Sequence, residues 1–321
     1  MKISRPVLLV GCGGMAADYA RVLRALGTEP EVIGRRPEAC ATFAQKTGLR
    51  PREGGIDAAV AAGVSLPPTA IVAVNVDQLA PVTGKLITAG VRRILVEKPG
   101  GLHAREIAEL ARLATEHRAE VFVAYNRRFY ASALQARELI AADGGATSLL
   151  FEFTEWSHQI TGLPLGAAIK REWFLANSTH VCDLAFFLGG FPTALTAYSR
   201  GSLDWHPSGA QFTGCGVTTT GAVFAYHSNW ESAGRWGVEV CTAKRRLYLR
   251  PMETLQEQLR GELALRPVAL DDQPDKDFKP GLHAQTEAFL RENEAAAGLL
   301  TLGEQARHTA EIYRRMVPVQ D

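Results

Sequence analysis

A glycine-rich turn is the first place in this chain where residue type and spacing imply chemistry. Gly11, Gly13 and Ala16 stand in a G-x-G-x-x-A spacing. In such a spacing the first glycine permits a tight turn, the second lets the backbone approach a pyrophosphate, and the small third residue lets a helix pack close to the strand it leaves. Free N–H groups at the helix start face the anion, which makes Gly14 and Met15 expected contacts as well. The motif carries weight only between a strand and a helix. Both are present: apolar Val7, Leu8, Leu9 and Val10 precede it, and Met15, Tyr19, Val22, Leu23 and Leu26 follow at helical spacing, with Gly27 at the C-terminal cap.

About 20 residues beyond such a turn, a fold selective for NAD places Asp or Glu on the ribose 2′-hydroxyl. This chain has Gly34, Arg35 and Arg36 there. Without the carboxylate a 2′-phosphate is not repelled, and two guanidiniums offer it charge-assisted, bidentate donors. NADP(H) is therefore the expected cofactor, with NAD(H) as the second choice.

These residues need a scaffold, and the alternation of the next hundred residues supplies it. Strands are expected at 32–33, 70–74, 93–96 and 121–124. Helices between them carry Leu79, Val82, Leu86 and Ile87, then Ile107 and Leu110. Strand and helix in turn define an α/β unit with a doubly wound parallel sheet, a Rossmann domain over residues 1–124. Only Tyr19, Phe43 and Phe122 of the chain's aromatic residues fall within it, whereas all five tryptophans come later. At 321 residues, roughly 150 per domain leaves room for a second domain over 125–321. Its β-type runs fall at 147–156, 195–199, 212–219, 222–230, 237–241 and 246–249. Helices over about 283–291 and 302–315 are expected to close the chain.

Composition narrows the partners. Thirty-five basic against 34 acidic residues give a formal charge of +1, too little for a field that holds nucleic acid or an acidic membrane. A small-molecule ligand is expected. Cys12, Cys40, Cys182, Cys215 and Cys241 are odd in number and form no C-x-x-C pair, so free thiols in a reducing cytoplasm are expected, without a metal site. No leader or membrane span is read from the sequence.

His180 lies on the first turn of an expected helix, where it shares a face with Asp183 beside an apolar stripe of Val181, Leu184, Ala185 and Leu188. Glu97, Lys98, Pro99 and Gly100 follow the strand that ends at Val96. This Glu-Lys-Pro segment, with Tyr125-Asn126-Arg127-Arg128-Phe129 and Asn177-Ser178-Thr179-His180, resembles the glucose-fructose oxidoreductase / inositol dehydrogenase / MocA (Gfo/Idh/MocA) family. The resemblance implies a second α/β domain with an open, mainly antiparallel sheet that forms the substrate floor and often an oligomer interface, hence a homodimer or homotetramer. It implies an NAD(P)-dependent oxidoreductase acting on CH–OH groups of a sugar, sugar nucleotide or cyclitol. Lys98 would exchange the proton, since a lysine in a partly dry cleft can have its pKa lowered. His180 would assist, and Glu97 would orient the loop. Asn75, Glu97 and Lys98 join the expected cofactor contacts, and Asn126, Arg127 and Asn177 the substrate contacts.

Trp156 and Arg235 are further substrate candidates, because flat aromatic faces beside polar groups suit sugars and arginines suit an anionic one. Two departures from the family pattern stand out. Ala176 occupies the place where many members carry Asp, four residues before the histidine. The segment 73–79 lacks the usual Thr-Pro and trailing His. The first departure leaves open an enzyme that uses nicotinamide transiently for elimination, epimerisation or glycoside cleavage. A non-catalytic NADP-binding regulator is the remaining alternative.

Overall fold

The computed structural model describes residues 6–291 and 298–317. Residues 1–5, read above for a leader, lie outside it. The chain divides into two units, residues 1–126 with 274–307, and residues 127–273 with 308–321.

In the first unit, parallel strands β1 (Val7–Val10), β2 (Glu31–Ile33), β3 (Thr69–Val72), β4 (Arg93–Glu97) and β5 (Glu120–Ala124) lie in the order β5-β4-β3-β1-β2. Helices α1 (Gly14–Ala25), α2 (Pro37–Thr47), α3 (Gly55–Ala61), α4 (Val76–Thr88) and α5 (Ala104–Glu116) connect them. Strands covered on both faces must be apolar throughout. Val7, Leu8, Leu9 and Ile71 are accordingly all buried, at about 1.5–3 kcal/mol for each large aliphatic side chain. The strand order reverses beside β1, and in such sheets the crevice for a ligand opens beyond the carboxyl ends of the strands at that point.

The sequence placed 274–291 and 298–307 in the tail of a second domain, but these residues belong to the first unit. Strand Leu300–Thr301 adds antiparallel to β5, and helix Leu282–Leu290 lies on α1. Buried Gln285, Phe289 and Leu290 face this sheet's helices and edge. The charged stretch of residues 271–281 contains the short helix Gln273–Asp277. Apolar helical spacing identifies a helix without naming its partner, so this assignment was not available from the sequence.

The second unit is one sheet with helices on one face. After helix α6 (Ala131–Ala142), strands β6 (Ser148–Glu152), β7 (Pro192–Arg200), β8 (Gln211–Thr218), β9 (Val223–Asn229), β10 (Gly237–Cys241), β11 (Arg245–Leu249), β12 (Gln256–Leu259) and β13 (Arg266–Pro267) lie in the order β13-β12-β11-β10-β6-β9-β8-β7. Every neighbouring pair is antiparallel except β6 with β9. Strand β9 alternates exposed and buried residues, as a sheet covered on one side must. The helix Thr179–Gly189 fills the covered side against β6 and β10. There Phe151 meets Phe186 edge-on at 5.3 Å and stacks on Tyr226 at 5.4 Å.

Most of the tryptophans serve this packing. Trp230 is buried, stacks on Trp205 at 5.5 Å and meets His206 at 4.6 Å, and Trp173 meets Trp205 edge-on. Strands β8, β9 and β11 shift by one residue from expectation, and β7 begins three residues earlier than expected. The expected strand 147–156 ends at Glu152, after which the chain leaves the sheet. All five cysteines are free. Among the described residues no helix is long and apolar enough to cross a membrane.

Candidate functional site

The first unit holds a cleft of about 370 Å³ at the carboxyl ends of β1 and β2. Its walls include Gly11, Gly13, Gly14, Met15, Arg35, Arg36 and Asn75, so seven residues picked from sequence converge here. Gly11 has φ +129° and faces Ala73, whose carbonyl oxygen would lie 2.1 Å from an added Cβ; no other residue type fits. Gly13 and Gly14 open onto free space. Gly13 caps α1 with no side-chain hydrogen bond, so no side chain takes the first-turn N–H groups at the cleft wall. Ala16 is fully buried under the helix. These features fit the pyrophosphate of a dinucleotide.

At the far wall, β2 ends without a carboxylate. Gly34 is crowded by two thiols: an added Cβ would lie 2.3 Å from Cys40 Sγ and 2.4 Å from Cys12 Sγ. Burial, with Cys40 alongside, pushes the Cys12 thiol up to about 12. Beyond Gly34, Arg35 donates from Nη1 to Gln78 Oε1 at 3.1 Å. The acidic residue lining this cleft, Asp57, is engaged by Lys85 at 2.7 Å. Gln78, Asp57 and Lys85 were missed by sequence reasoning, since Asp57 comes from a helix that the apolar spacing did not reveal.

Glu97 ends β4, Lys98 follows it, and neither lines this cleft. Tyr19 on α1 donates to Glu97 Oε1 at 2.7 Å. Desolvation holds the Glu97 carboxyl above its ordinary pKa, against the opposing pull of that bond and of Lys98 and Lys279. The Lys98-Pro99 segment is braced from the late part of the chain: buried Gln305 donates from Nε2 to Pro99 O at 3.2 Å and to Tyr125 Oη at 3.1 Å. Gly100, at φ +95°, lies against Leu302. Asn126, expected at the substrate, donates its amide to Pro280 O at 2.9 Å within the first unit.

The second unit gathers the remaining candidates. His180 is buried on the first turn of Thr179–Gly189, and its ring lies 6.3 Å from that of Trp236. A π-turn, Phe174–Ser178, leads into that helix; such turns often mark functional sites. The Arg127 guanidinium sits over the same Trp236 at 4.7 Å. Desolvation pulls the Arg127 pKa down, while Tyr130, Glu253 and Glu155 support its charge. Arg235 lies over Trp156 at 4.5 Å, and Trp156 Nε1 donates to Gly234 O. Thus Arg127, His180 and Trp236 form one cluster, and Trp156 and Arg235 a second, joined through the Arg235-Trp236 dipeptide. Asn177 donates to Glu155, a carboxylate the sequence reading did not select. Asp183, expected to share a helix face with His180, accepts from Arg128 through bonds of 2.7 and 2.6 Å.

Residues 5–125 match the Gfo/Idh/MocA oxidoreductase family, NAD-binding Rossmann fold. The match spans the first unit from β1 to β5. No curated protein matches the chain. Solved structures match nearly all of it: levoglucosan dehydrogenase in complex with NADH has TM-score 0.76 and 17% identity, covering 97% of this chain and 95% of the other. An oxidoreductase from Agrobacterium radiobacter, in complex with NAD+, L-tartaric acid and magnesium, has TM-score 0.75 and 15% identity over 95% and 93%. UDP-N-acetylglucosamine 3-dehydrogenase from Acidithiobacillus ferrooxidans has TM-score 0.73 and 18% identity over 97% and 96%. At these identities the likeness establishes the fold of both units, including the mainly antiparallel second sheet.

Proposed function

We propose that the protein is an NADP(H)-preferring dehydrogenase that interconverts a secondary alcohol and a ketone on a sugar, sugar nucleotide or cyclitol. The observation that carries the cofactor preference is the wall of the glycine-turn cleft, where Arg35 and Arg36 stand and the β2 terminus offers no carboxylate. Sugar-type substrates are supported by the likeness to levoglucosan and UDP-N-acetylglucosamine dehydrogenases. Arginine-capped Trp156 and Trp236 offer an apolar face beside positive charge, suited to an anionic sugar.

The bound nicotinamide would supply the hydride acceptor or donor. Backbone N–H groups of Gly13, Gly14 and Met15 would hold the pyrophosphate, and Arg35 and Arg36 the 2′-phosphate. Lys98 would take the hydroxyl proton as the alcohol is oxidised and return it in the reverse direction. His180 would assist the proton transfer, and Arg127 and Asn177 would hold substrate substituents. The reading includes a cytoplasmic homodimer or homotetramer, with Tyr198, Val217 and Val223 on the open face of the second sheet as interface residues; these are exposed in the chain alone. Competition binding of NADPH against NADH, followed by a sugar and cyclitol panel with the preferred cofactor, tests the assignment. Tighter NADH binding would overturn the preference.

A further inference from the structure

Ala176 is buried and brings no carboxylate to the turn before His180, yet a carboxylate arrives there from another element. Glu155 lies three residues beyond the end of β6 and is itself buried, at 7% exposure. Ser178 donates from Oγ to its Oε1 at 2.6 Å, and Asn177 donates from Nδ2 to the same oxygen at 3.1 Å. Both donors belong to the turn on which an aspartate at 176 would have stood.

A buried carboxylate is costly unless its environment is arranged for it. The buried acid of the helix Thr179–Gly189, Asp183, is held by the bidentate Arg128 pair, an arrangement that fixes structure. Glu155 accepts from Asn177 and Ser178 on the turn that leads to His180, and its charge supports that of Arg127 over Trp236. An amide that donates Nδ2 to a fixed acceptor has its Oδ1 end fixed as well. Asn177 is thereby set with one end on Glu155 and the other available to accept from a hydroxyl.

We propose that Glu155 is the positioning carboxylate of the substrate site, taking over from the segment after β6 the role left vacant at Ala176, and that it acts through Asn177. The proposal rests on the dehydrogenase reading above and deepens it. The substrate it implies is a polyol, whose hydroxyl donates to Asn177 Oδ1.

The test measures kcat, KM and NADPH affinity with whichever of myo-inositol, glucose, levoglucosan and UDP-N-acetylglucosamine is turned over. Glu155→Ala is expected to raise KM about tenfold, the cost of a freed hydrogen-bonding group, with a smaller change in kcat and unchanged NADPH affinity. Glu155→Gln, whose carbonyl accepts the same two bonds, should recover most of the loss. The Glu155→Ala/Asn177→Ala double variant should be no worse than Asn177→Ala alone, because the two act as one unit. Additive losses, or an unchanged KM in Glu155→Ala, would overturn the proposal. Wild type that turns over none of the four would count against the dehydrogenase reading, and the bond is then read without turnover. In protein labelled with ¹⁵N-asparagine, the Asn177 side-chain amide resonance should shift between wild type and Glu155→Gln, in which the acceptor loses its charge. Coincident resonances would overturn the proposal independently of activity.

Discussion

Arg35 donates from Nη1 to Gln78 Oε1 at 3.1 Å, tying the residue after Gly34 to the first turns of α4 across the dinucleotide cleft. A guanidinium held this way loses less rotational freedom on meeting a phosphate than an untethered one, and its remaining N–H groups are still free to donate. Replacing Arg35 and Arg36 together by alanine is therefore expected to weaken NADPH binding about tenfold to hundredfold, the scale of one charge-assisted hydrogen bond. NADH binding should change much less. Fluorescence titration of both cofactors checks this; equal losses for the two would show that the arginines do not read the 2′-phosphate.

The approach of Cys12 Sγ and Cys40 Sγ to 3.8 Å, directly over Gly34, predicts a packing effect. Gly34→Ala forces at least one thiol aside and should cost about 1–3 kcal/mol, as overpacking does. Adding Cys40→Ala should recover part of that loss, because the nearest clashing atom is removed. Urea unfolding of the three variants checks the pattern. Equal stability of wild type and Gly34→Ala would contradict it.

The Arg128–Asp183 pair is almost completely buried, with side-chain exposures of 5% and 1%. Removing one partner leaves the other charge uncompensated, so Asp183→Asn should destabilise the protein by about 3–5 kcal/mol. The Arg128→Met/Asp183→Leu double variant should lie closer to wild type, since neither charge then needs a partner. A loss below about 1 kcal/mol for Asp183→Asn would show that the site admits water.

Glu97 gives a pH-dependent prediction whose sign is fixed. Burial raises its carboxyl pKa in the folded state, so the folded chain holds this proton to higher pH than the unfolded chain does. Its contribution to stability is present below the unfolded pKa and is lost as pH rises through the folded value. Glu97→Gln still accepts from Tyr19 and carries no charge. It is expected to be more stable than wild type at pH 7, with the advantage shrinking as pH falls toward 4. Melting temperatures across that range check it; a difference independent of pH would contradict the burial.

The dinucleotide turn was legible because its residues are contiguous and their constraints are local. Gly11 needs positive φ, Gly13 needs open space, and the strand and helix flanking them announce themselves by period. The Lys98 loop was legible as a motif, but not its brace: Gln305 reaches Pro99 across more than two hundred residues, and nothing in the period of its helix says which sheet it joins. Glu155 was passed over for a related reason. It sits beside Trp156, which drew attention as an aromatic, while the donors that give it meaning lie 22 and 23 residues away. His180 and Asp183 lie one turn apart on one helix, as their spacing implied, but the hold of Arg128 on the carboxylate comes from a distant turn and is invisible to spacing.

The central claim is proton exchange by Lys98 coupled to hydride transfer between NADPH and a sugar-type carbonyl. It is tested most directly by following deuterium from 4-deuterated NADPH into keto-sugars, keto-cyclitols and UDP-keto-sugars, with wild type and Lys98→Met compared at saturating cofactor. Expected is deuterium on the new carbinol carbon with wild type. For Lys98→Met, NADPH binding should be retained and transfer slowed at least about a hundredfold, the usual size of a general acid contribution. Transfer at the wild-type rate in Lys98→Met, or label transferred to none of the carbonyls although NADPH is bound, would contradict it.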